Sequence, residues 1–176
     1  MLVMKEKQIL VAYASKYGAA AGIAEKIGQV LNKSCCFVDV LTVEHVKDLD
    51  SYQAVVLGSS VYIGRWRKKA VRFLKNNITV LSEKPVWLFS CGLTGKDDPK
   101  ELKKNKNFPK ALQPIADQIK IQDIAGFLGM VDLEKLNRLE RMMFKKAKGS
   151  IGDFRDWDLI TAWAEGIAEA LKAGSV

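Results

Sequence analysis

Ser15-Lys16-Tyr17-Gly18-Ala19-Ala20 is the stretch of this chain whose residue types point most directly to chemistry. It follows an apolar run, Ile9–Ala14. It opens into a segment with Ile23, Ile27, Val30 and Leu31 at i, i+4, i+7 and i+8, the spacing of one helix face. The first turn of a helix leaves backbone N–H groups without partners, and the helix dipole adds roughly half a positive charge there. A small, polar, glycine-containing loop at that point suits an anion such as phosphate. Ser15 offers a hydroxyl, Lys16 a charge, and Gly18 a backbone that a phosphate can approach. The same segment also reads as a plain strand–loop–helix that binds nothing. It contains neither G-x-x-x-x-G-K-[ST] nor G-x-G-x-x-G, which argues against a Walker-type loop and against that dinucleotide fingerprint.

Two further loops follow apolar runs in the same way. Ser59-Ser60-Val61-Tyr62-Ile63-Gly64 comes after Ala54–Gly58 and leads to Trp66. A flat aromatic ligand needs apolar or aromatic faces to stack on. Tyr62, between loop residues, suits that role; Trp66 suits it equally well as it suits the core at the start of a helix. Ser90-Cys91-Gly92-Leu93-Thr94-Gly95 ends the run Pro85–Cys91, and its N–H groups can reach the polar edge of a ring system. Cys91 has no histidine near it in sequence to activate it, so it reads as packing or loop lining rather than as a nucleophile. His45 is the only histidine, which leaves triad chemistry little to build on. The three cysteines, two of them adjacent at Cys35 and Cys36, form neither a disulfide framework nor a metal site. No catalytic side chain and no metal ligand is assigned, and a reducing, cytoplasmic setting is expected.

These loops need a frame, and the chain alternates strand and helix patterns throughout. Strands are expected at Ile9–Ala14, Cys36–Leu41, Ala54–Gly58, Pro85–Cys91 and Ile121–Met130. Helices are expected at about 18–33, through Trp66, Ala70, Phe73 and Leu74, around Pro109–Gln118, over Leu133–Lys148, and along Ile160, Trp163, Ala164, Ile167, Ala168 and Leu171. Continuous apolar strands imply burial on both faces. Five such strands alternating with helices imply one parallel sheet covered on both sides, in order 3-2-1-4-5 or 2-1-3-4-5. The ligand then lies beyond the carboxyl ends of the strands, where strand order reverses. The 176 residues fit a single domain, 1–176, with 48% hydrophobic residues and no apolar run of membrane-spanning length. No apolar signal segment precedes the first strand.

The net charge of +8 is unevenly placed. Residues 65–75 hold six basic and no acidic residues, 96–110 six and three, and 134–148 six and two. Each window begins just after an expected strand, so the charge belongs to one end of the sheet. Arg138, Arg141, Lys145 and Lys148 share one helix face, and Leu136, Leu139, Met143 and Ala147 form an adjacent apolar stripe. A surface helix with a solvated basic side explains this; so does a rim for an anionic ligand or membrane. No nucleic-acid reader motif accompanies the charge, so no nucleic-acid partner is expected.

The first loop resembles the phosphate loop of the flavodoxins, S/T-x-T-G-x-T, with Tyr17 and Ala20 where threonines usually stand. Together with Gly58–Gly64 and Phe89-Ser90-Cys91, it makes nearly the whole chain similar to a flavodoxin-domain protein. That implies a three-layer α/β sandwich in order 2-1-3-4-5, flavodoxins being an established instance of the switch-point rule. The tail, Leu139–Lys146 followed by Gly152-Asp153-Phe154-Arg155-Asp156-Trp157-Asp158, resembles the menaquinone-dependent protoporphyrinogen oxidases, which carry an extra helix after the fifth strand. The resemblance implies an FMN-dependent oxidoreductase passing electrons from a reduced, porphyrin-type substrate to a quinone. The FMN would be held by Ser15, Lys16, Tyr17, Gly18, Ala19, Ala20, Ser59, Ser60, Val61, Tyr62, Gly64, Ser90, Cys91, Gly92 and Leu93. An electron carrier between proteins, or a binding module that has lost its cofactor, are the alternatives. A basic rim suits an anionic small molecule or peripheral contact with an anionic membrane; oligomeric state is not assigned.

Overall fold

The computed structural model describes residues 7–34, 36–62, 64–93, 108–146 and 151–174. A parallel sheet runs through the middle in the order β2-β1-β3-β5-β6. Its strands are β1 (Gln8–Ala14), β2 (Phe37–Thr42), β3 (Ala54–Tyr62), β5 (Val86–Leu93) and β6 (Ile121–Leu128). A short β4 (Arg65–Trp66) pairs antiparallel with the end of β3. Counting only the five long strands, the order is the 2-1-3-4-5 expected from the resemblance.

Alternation along β1 explains the two cores. Ile9 and Val11 point to one face, Leu10, Ala12 and Ala14 to the other, and all are buried. The first face is covered by α1 (Ala19–Ser34) and α6 (Trp157–Ala173) through Ile23, Ile27, Leu31, Ile160 and Ile167. The second is covered by α2 (Lys68–Asn76) and α3 (Ile78–Ser82) through Ala70, Leu74 and Leu81. Each large apolar side chain buried in this way contributes about 1.5–3 kcal/mol. Asp156 caps α6 by accepting from Leu159 N at 3.0 Å. Trp163 of α6 donates from Nε1 to Asp123 Oδ2 on β6 at 2.9 Å, fixing that helix to the sheet edge.

Several expected elements differ, among them the helix expected from Trp66, which begins at Lys68. The strand at 121–130 ends at Leu128, and Met130 belongs to β7 (Met130–Val131), which pairs antiparallel with β8 (Gly152–Asp153). This two-stranded ribbon brackets an excursion from the sheet. The helix expected over 133–148 is divided into a 3-10 turn, Leu133–Lys135, and α5 (Arg138–Lys146). Asn137 is the cause: its Oδ1 accepts from Glu140 N at 2.8 Å, and its own N–H donates to Glu140 Oε2 at 3.0 Å. That reciprocal pair is a capping box, and it starts a new helix. The helix around 109–118 is a 3-10 turn, Lys110–Leu112, followed by a single-turn α4 (Gln113–Ala116).

Trp66 lies in β4, is 4% exposed and packs edge-on to Phe108 at 5.4 Å. It is a core residue. The expectation that the three cysteines take no part in disulfides is corrected at Cys36, which is disulfide-bonded, while Cys91 is a free, buried thiol. Among the described residues no helix is long and apolar enough to cross a membrane, and no group of His, Cys, Asp and Glu has metal-binding geometry. Lys148 and most of the 96–110 basic window lie outside the described residues.

Candidate functional site

The carboxyl ends of β1, β3 and β5 open onto one cavity of about 370 Å³, a volume within the range of small-molecule and cofactor sites. The first loop supplies Ser15, Lys16, Tyr17 and Ala19. Gly18 turns the chain into α1 at φ +91, where a side chain is disfavoured. Its N–H donates to Ser15 Oγ at 3.0 Å. The first bond onto the loop from within α1 comes from Gly22 N to Gly18 O, at 3.1 Å. The N–H groups of residues 19–21 are therefore the first-turn donors that an anion would meet.

Ala20 is placed differently from the expectation. It has no exposed surface and packs with Ile23 and Ala24 in the core under α1, and it does not line the cavity. The first turn of α1 must bury one side to sit on the sheet, and Ala20 is on that side.

The stretch expected as a second loop begins inside β3, which runs on to Tyr62, and its residues divide in the same sense. Ser59 is fully buried and spent internally: its Oγ donates to Ser60 O at 2.9 Å and accepts from Arg67 N at 3.0 Å. Ser60, Val61 and Tyr62 line the cavity. The Ser60 Oγ is buried and has no partner among the described residues. A buried hydroxyl left unpaired costs about 1–3 kcal/mol, so one in a residue of the cavity wall marks a place where a polar ligand atom is wanted. Tyr62 is 42% exposed, as a stacking face requires. Gly64 turns the chain between β3 and β4 and is not in the cavity wall. Ile63 lies outside the described residues.

Ser90, Cys91 and Gly92, expected to open a third loop, belong to β5 instead; Ser90 is buried and accepts from Trp66 Nε1, so it is not available to a ligand. Cys91 and Gly92 line the cavity. Burial pushes the Cys91 thiol up to about 12, which keeps it protonated and unreactive at neutral pH. Gly92 has φ +130, and a Cβ there would stand 2.7 Å from Val61 O. Only glycine lets β5 pass this close to β3 at the cavity floor. Leu93 is the last residue of β5; Thr94 and Gly95 lie outside the described residues.

The remaining wall comes from residues that the loop pattern did not single out. Arg67 follows β4, Met130 and Val131 form β7, and Asp132, Leu136, Glu140, Met143 and Phe144 belong to the excursion. Part of this was signalled by the apolar stripe containing Leu136 and Met143. Leu139, from the same stripe, is 60% exposed and is not in the cavity wall. Glu140 had a signal too, in the Asn137-x-x-Glu140 capping-box spacing.

Glu140 receives the Lys16 ammonium and the Tyr17 hydroxyl. These contacts, Lys16 foremost, hold its carboxyl well below the usual range, at about 2. Glu140 in turn raises Lys16. Tyr17 is raised by burial and by its bond to Glu140.

Comparison with known proteins decides the family. The family model for the flavodoxin domain matches residues 10–157. The chain belongs to the flavodoxin-domain family. This flavodoxin-domain chain is similar in structure to a flavodoxin from the domain Archaea, with TM-score 0.55 and 19% identity, covering 80% of this chain and 99% of that one. Flavodoxin 2 from Bacillus cereus gives TM-score 0.57 and 18% identity, covering 94% and 99%. Rubredoxin oxygen:oxidoreductase from Desulfovibrio gigas gives TM-score 0.60 and 14% identity, covering 96% of this chain and 38% of that one. At these identities the likeness shows the fold alone. No curated protein sequence matches the chain.

Proposed function

We propose that this chain binds FMN in the cavity and acts as an FMN-dependent oxidoreductase. Its reading in full is that of the menaquinone-dependent protoporphyrinogen oxidases: electrons move from a reduced, anionic, porphyrin-type substrate to a quinone-type acceptor. The observation that carries FMN is the Ser60 hydroxyl, buried without a partner, in one cavity with an anion loop and an exposed Tyr62. Those three features match the polar edge, the phosphate and the flat ring of that cofactor.

FMN, when bound, supplies the two-electron redox chemistry. The protein's part is to bind and orient. The N–H groups at the start of α1 and the Ser15 hydroxyl would hold the phosphate. Ser60 and the backbone around Gly92 would serve the polar edge, and Tyr62 would offer the ring a stacking face. Cys91 stays protonated and adds no competing nucleophile. Leu136, Met143 and Phe144 exclude water on the excursion side.

Two observations support an anionic substrate. Arg67 lines the cavity, and α5, which supplies Glu140, Met143 and Phe144 to the cavity wall, also carries Arg138, Arg141, Lys145 and Lys146. Leu139 and Met142 are exposed beside these cations, which suits peripheral contact with an anionic membrane from the cytoplasmic side. A second reading, an electron carrier between proteins, is favoured by the flavodoxins among its structural neighbours.

The test of the cofactor is titration of the purified protein with FMN, followed by flavin fluorescence and the visible spectrum. Quenching and a bound-flavin spectrum are expected. A protein that leaves FMN fluorescence unchanged at high micromolar concentration refutes both redox readings. Turnover of a reduced porphyrin with a quinone, against electron exchange with proteins only, then separates enzyme from carrier.

A further inference from the structure

Glu140 is the one buried charged side chain among the described residues, at 7% exposure. It belongs to α5, yet its carboxylate meets the anion loop more than a hundred residues earlier in the chain. Oε1 takes the Lys16 ammonium. Oε2 takes the Tyr17 hydroxyl and, at 3.0 Å, the Asn137 N–H. The capping box accounts for the last contact only. Lys16 is held with its Nζ 4.9 Å from the Tyr17 ring centroid and 5.6 Å from that of Tyr62. Lys16, Tyr17, Tyr62 and Glu140 all line the cavity. The lysine of the anion loop is thus committed to a carboxylate of the protein itself.

We propose that Glu140 is a specificity-determining residue: it neutralises Lys16, so that the loop meets a phosphate through backbone N–H groups and Ser15 rather than through the lysine charge. The inference rests on the reading of the cavity as an FMN site. A contact ion pair presents a dipole to a nearby phosphate, whose pull falls off faster than that of a free charge. Glu140 therefore limits how strongly the site prefers a phosphorylated ligand over its unphosphorylated counterpart.

The experiment compares FMN and riboflavin binding in the wild type, Glu140→Gln, Lys16→Met and the double variant. In Glu140→Gln, FMN tightens about tenfold while riboflavin stays within about twofold. In Lys16→Met a carboxylate faces the phosphate without its cation, and FMN weakens about tenfold with riboflavin again little changed. The double variant returns the FMN-to-riboflavin ratio to that of the wild type. The gain in Glu140→Gln fades with added salt. A carboxylate that merely fastens α5 gives the opposite pattern: both ligands weaken together, the ratio is unchanged, and the proposal is overturned. If Glu140→Gln does not fold, Lys16→Met and the double variant decide together: an FMN-to-riboflavin ratio that falls in Lys16→Met and returns to the wild-type value in the double variant supports the proposal, and a ratio that stays as low in the double variant refutes it. If the wild type binds no flavin, the cofactor reading fails. Inorganic phosphate then serves as probe: heat stabilisation larger in Glu140→Gln than in the wild type, and smaller in Lys16→Met, upholds the role of Glu140. Equal stabilisation in all three overturns it.

Discussion

Trp66 Nε1 donates to Ser90 Oγ at 2.8 Å, and both residues are buried. The two loops expected to face a ligand are therefore tied together beneath the cavity. Ser90→Ala leaves the indole N–H buried without an acceptor, at a cost of about 1–3 kcal/mol. The expected result is a lower urea midpoint with an unchanged slope. FMN affinity stays within about twofold, because Ser90 does not reach the cavity. A selective loss of FMN with unchanged stability contradicts this placement.

Ala20→Thr tests the other displaced residue. Ala20 has no exposed surface, so the added methyl and hydroxyl must enter a packed core. Overpacking of that kind costs about 1–3 kcal/mol. A lower melting temperature is expected, with FMN and riboflavin affinities changed by the same factor. Tighter FMN alone, at unchanged stability, means that position 20 fronts the phosphate after all.

What the sequence made legible, and what it did not, follows from the range of each signal. The strands and both cores rest on local apolar runs such as Ala54–Leu57 and on the stripe Ile23, Ile27 and Leu31, whereas the choice between two strand orders came from the flavodoxin resemblance. The three loops were found because each follows such a run. Which side chain in a loop turns inward is not a local property. Ser59, Ser60 and Ser90 are alike in sequence, yet two are consumed by Arg67 N and Trp66 Nε1 and one is left open. The meeting of Lys16 with Glu140 is less local still, since the β7–β8 ribbon that returns the excursion to the sheet is only two residues long on each side. So short a pairing leaves little mark on the pattern.

The Glu140 carboxyl gives a pH dependence of known sign. Its value is about 2 in the fold against an ordinary 4.5. A depressed carboxyl contributes stability that is fully present above its unfolded value and is lost as pH falls through its folded value. Wild type and Glu140→Gln are therefore expected to differ most in unfolding free energy above about pH 4.5, and to converge between pH 4.5 and about 2. Asp153 is also depressed, by Arg155, but it is common to both proteins and cancels in the difference. Urea unfolding at pH 7, 4.5 and 3 makes the comparison. A difference that stays constant across that range counts against the ion pair.

Gly92 sets the floor of the cavity. A Cβ there would stand 2.7 Å from Val61 O, and the backbone sits at φ +130. Gly92→Ala must strain that conformation or push β5 away from β3, and positive-φ strain alone costs on the order of 1–3 kcal/mol. Both FMN and riboflavin are expected to weaken about tenfold, since the shift alters the space beside the ring rather than the anion loop. Loss of FMN alone with riboflavin retained means that Gly92 lies nearer the phosphate than the ring.

The last expectation separates a substrate-binding rim from a solvated surface. Arg141 already holds the 3-10 turn by donating from Nε to Leu133 O at 2.7 Å, so reversing its charge would also loosen the excursion. Arg138 and Lys145 lie on the same helix without a comparable tie to a backbone carbonyl among the described residues, and they are the better probes. Near an anionic surface each lysine or arginine contributes roughly 1 kcal/mol, and exposed charges are screened over about 8–10 Å at ordinary ionic strength. Arg138→Glu with Lys145→Glu is expected to weaken binding to a porphyrin carboxylate, or to vesicles rich in anionic lipid, by about tenfold or more at low salt. FMN affinity should hold within about twofold, because neither residue lines the cavity. Binding of the wild type should itself decline as salt is raised. If the native protein binds neither probe at low salt, the cations of α5 serve solubility alone, and the carrier reading takes the place of the enzyme.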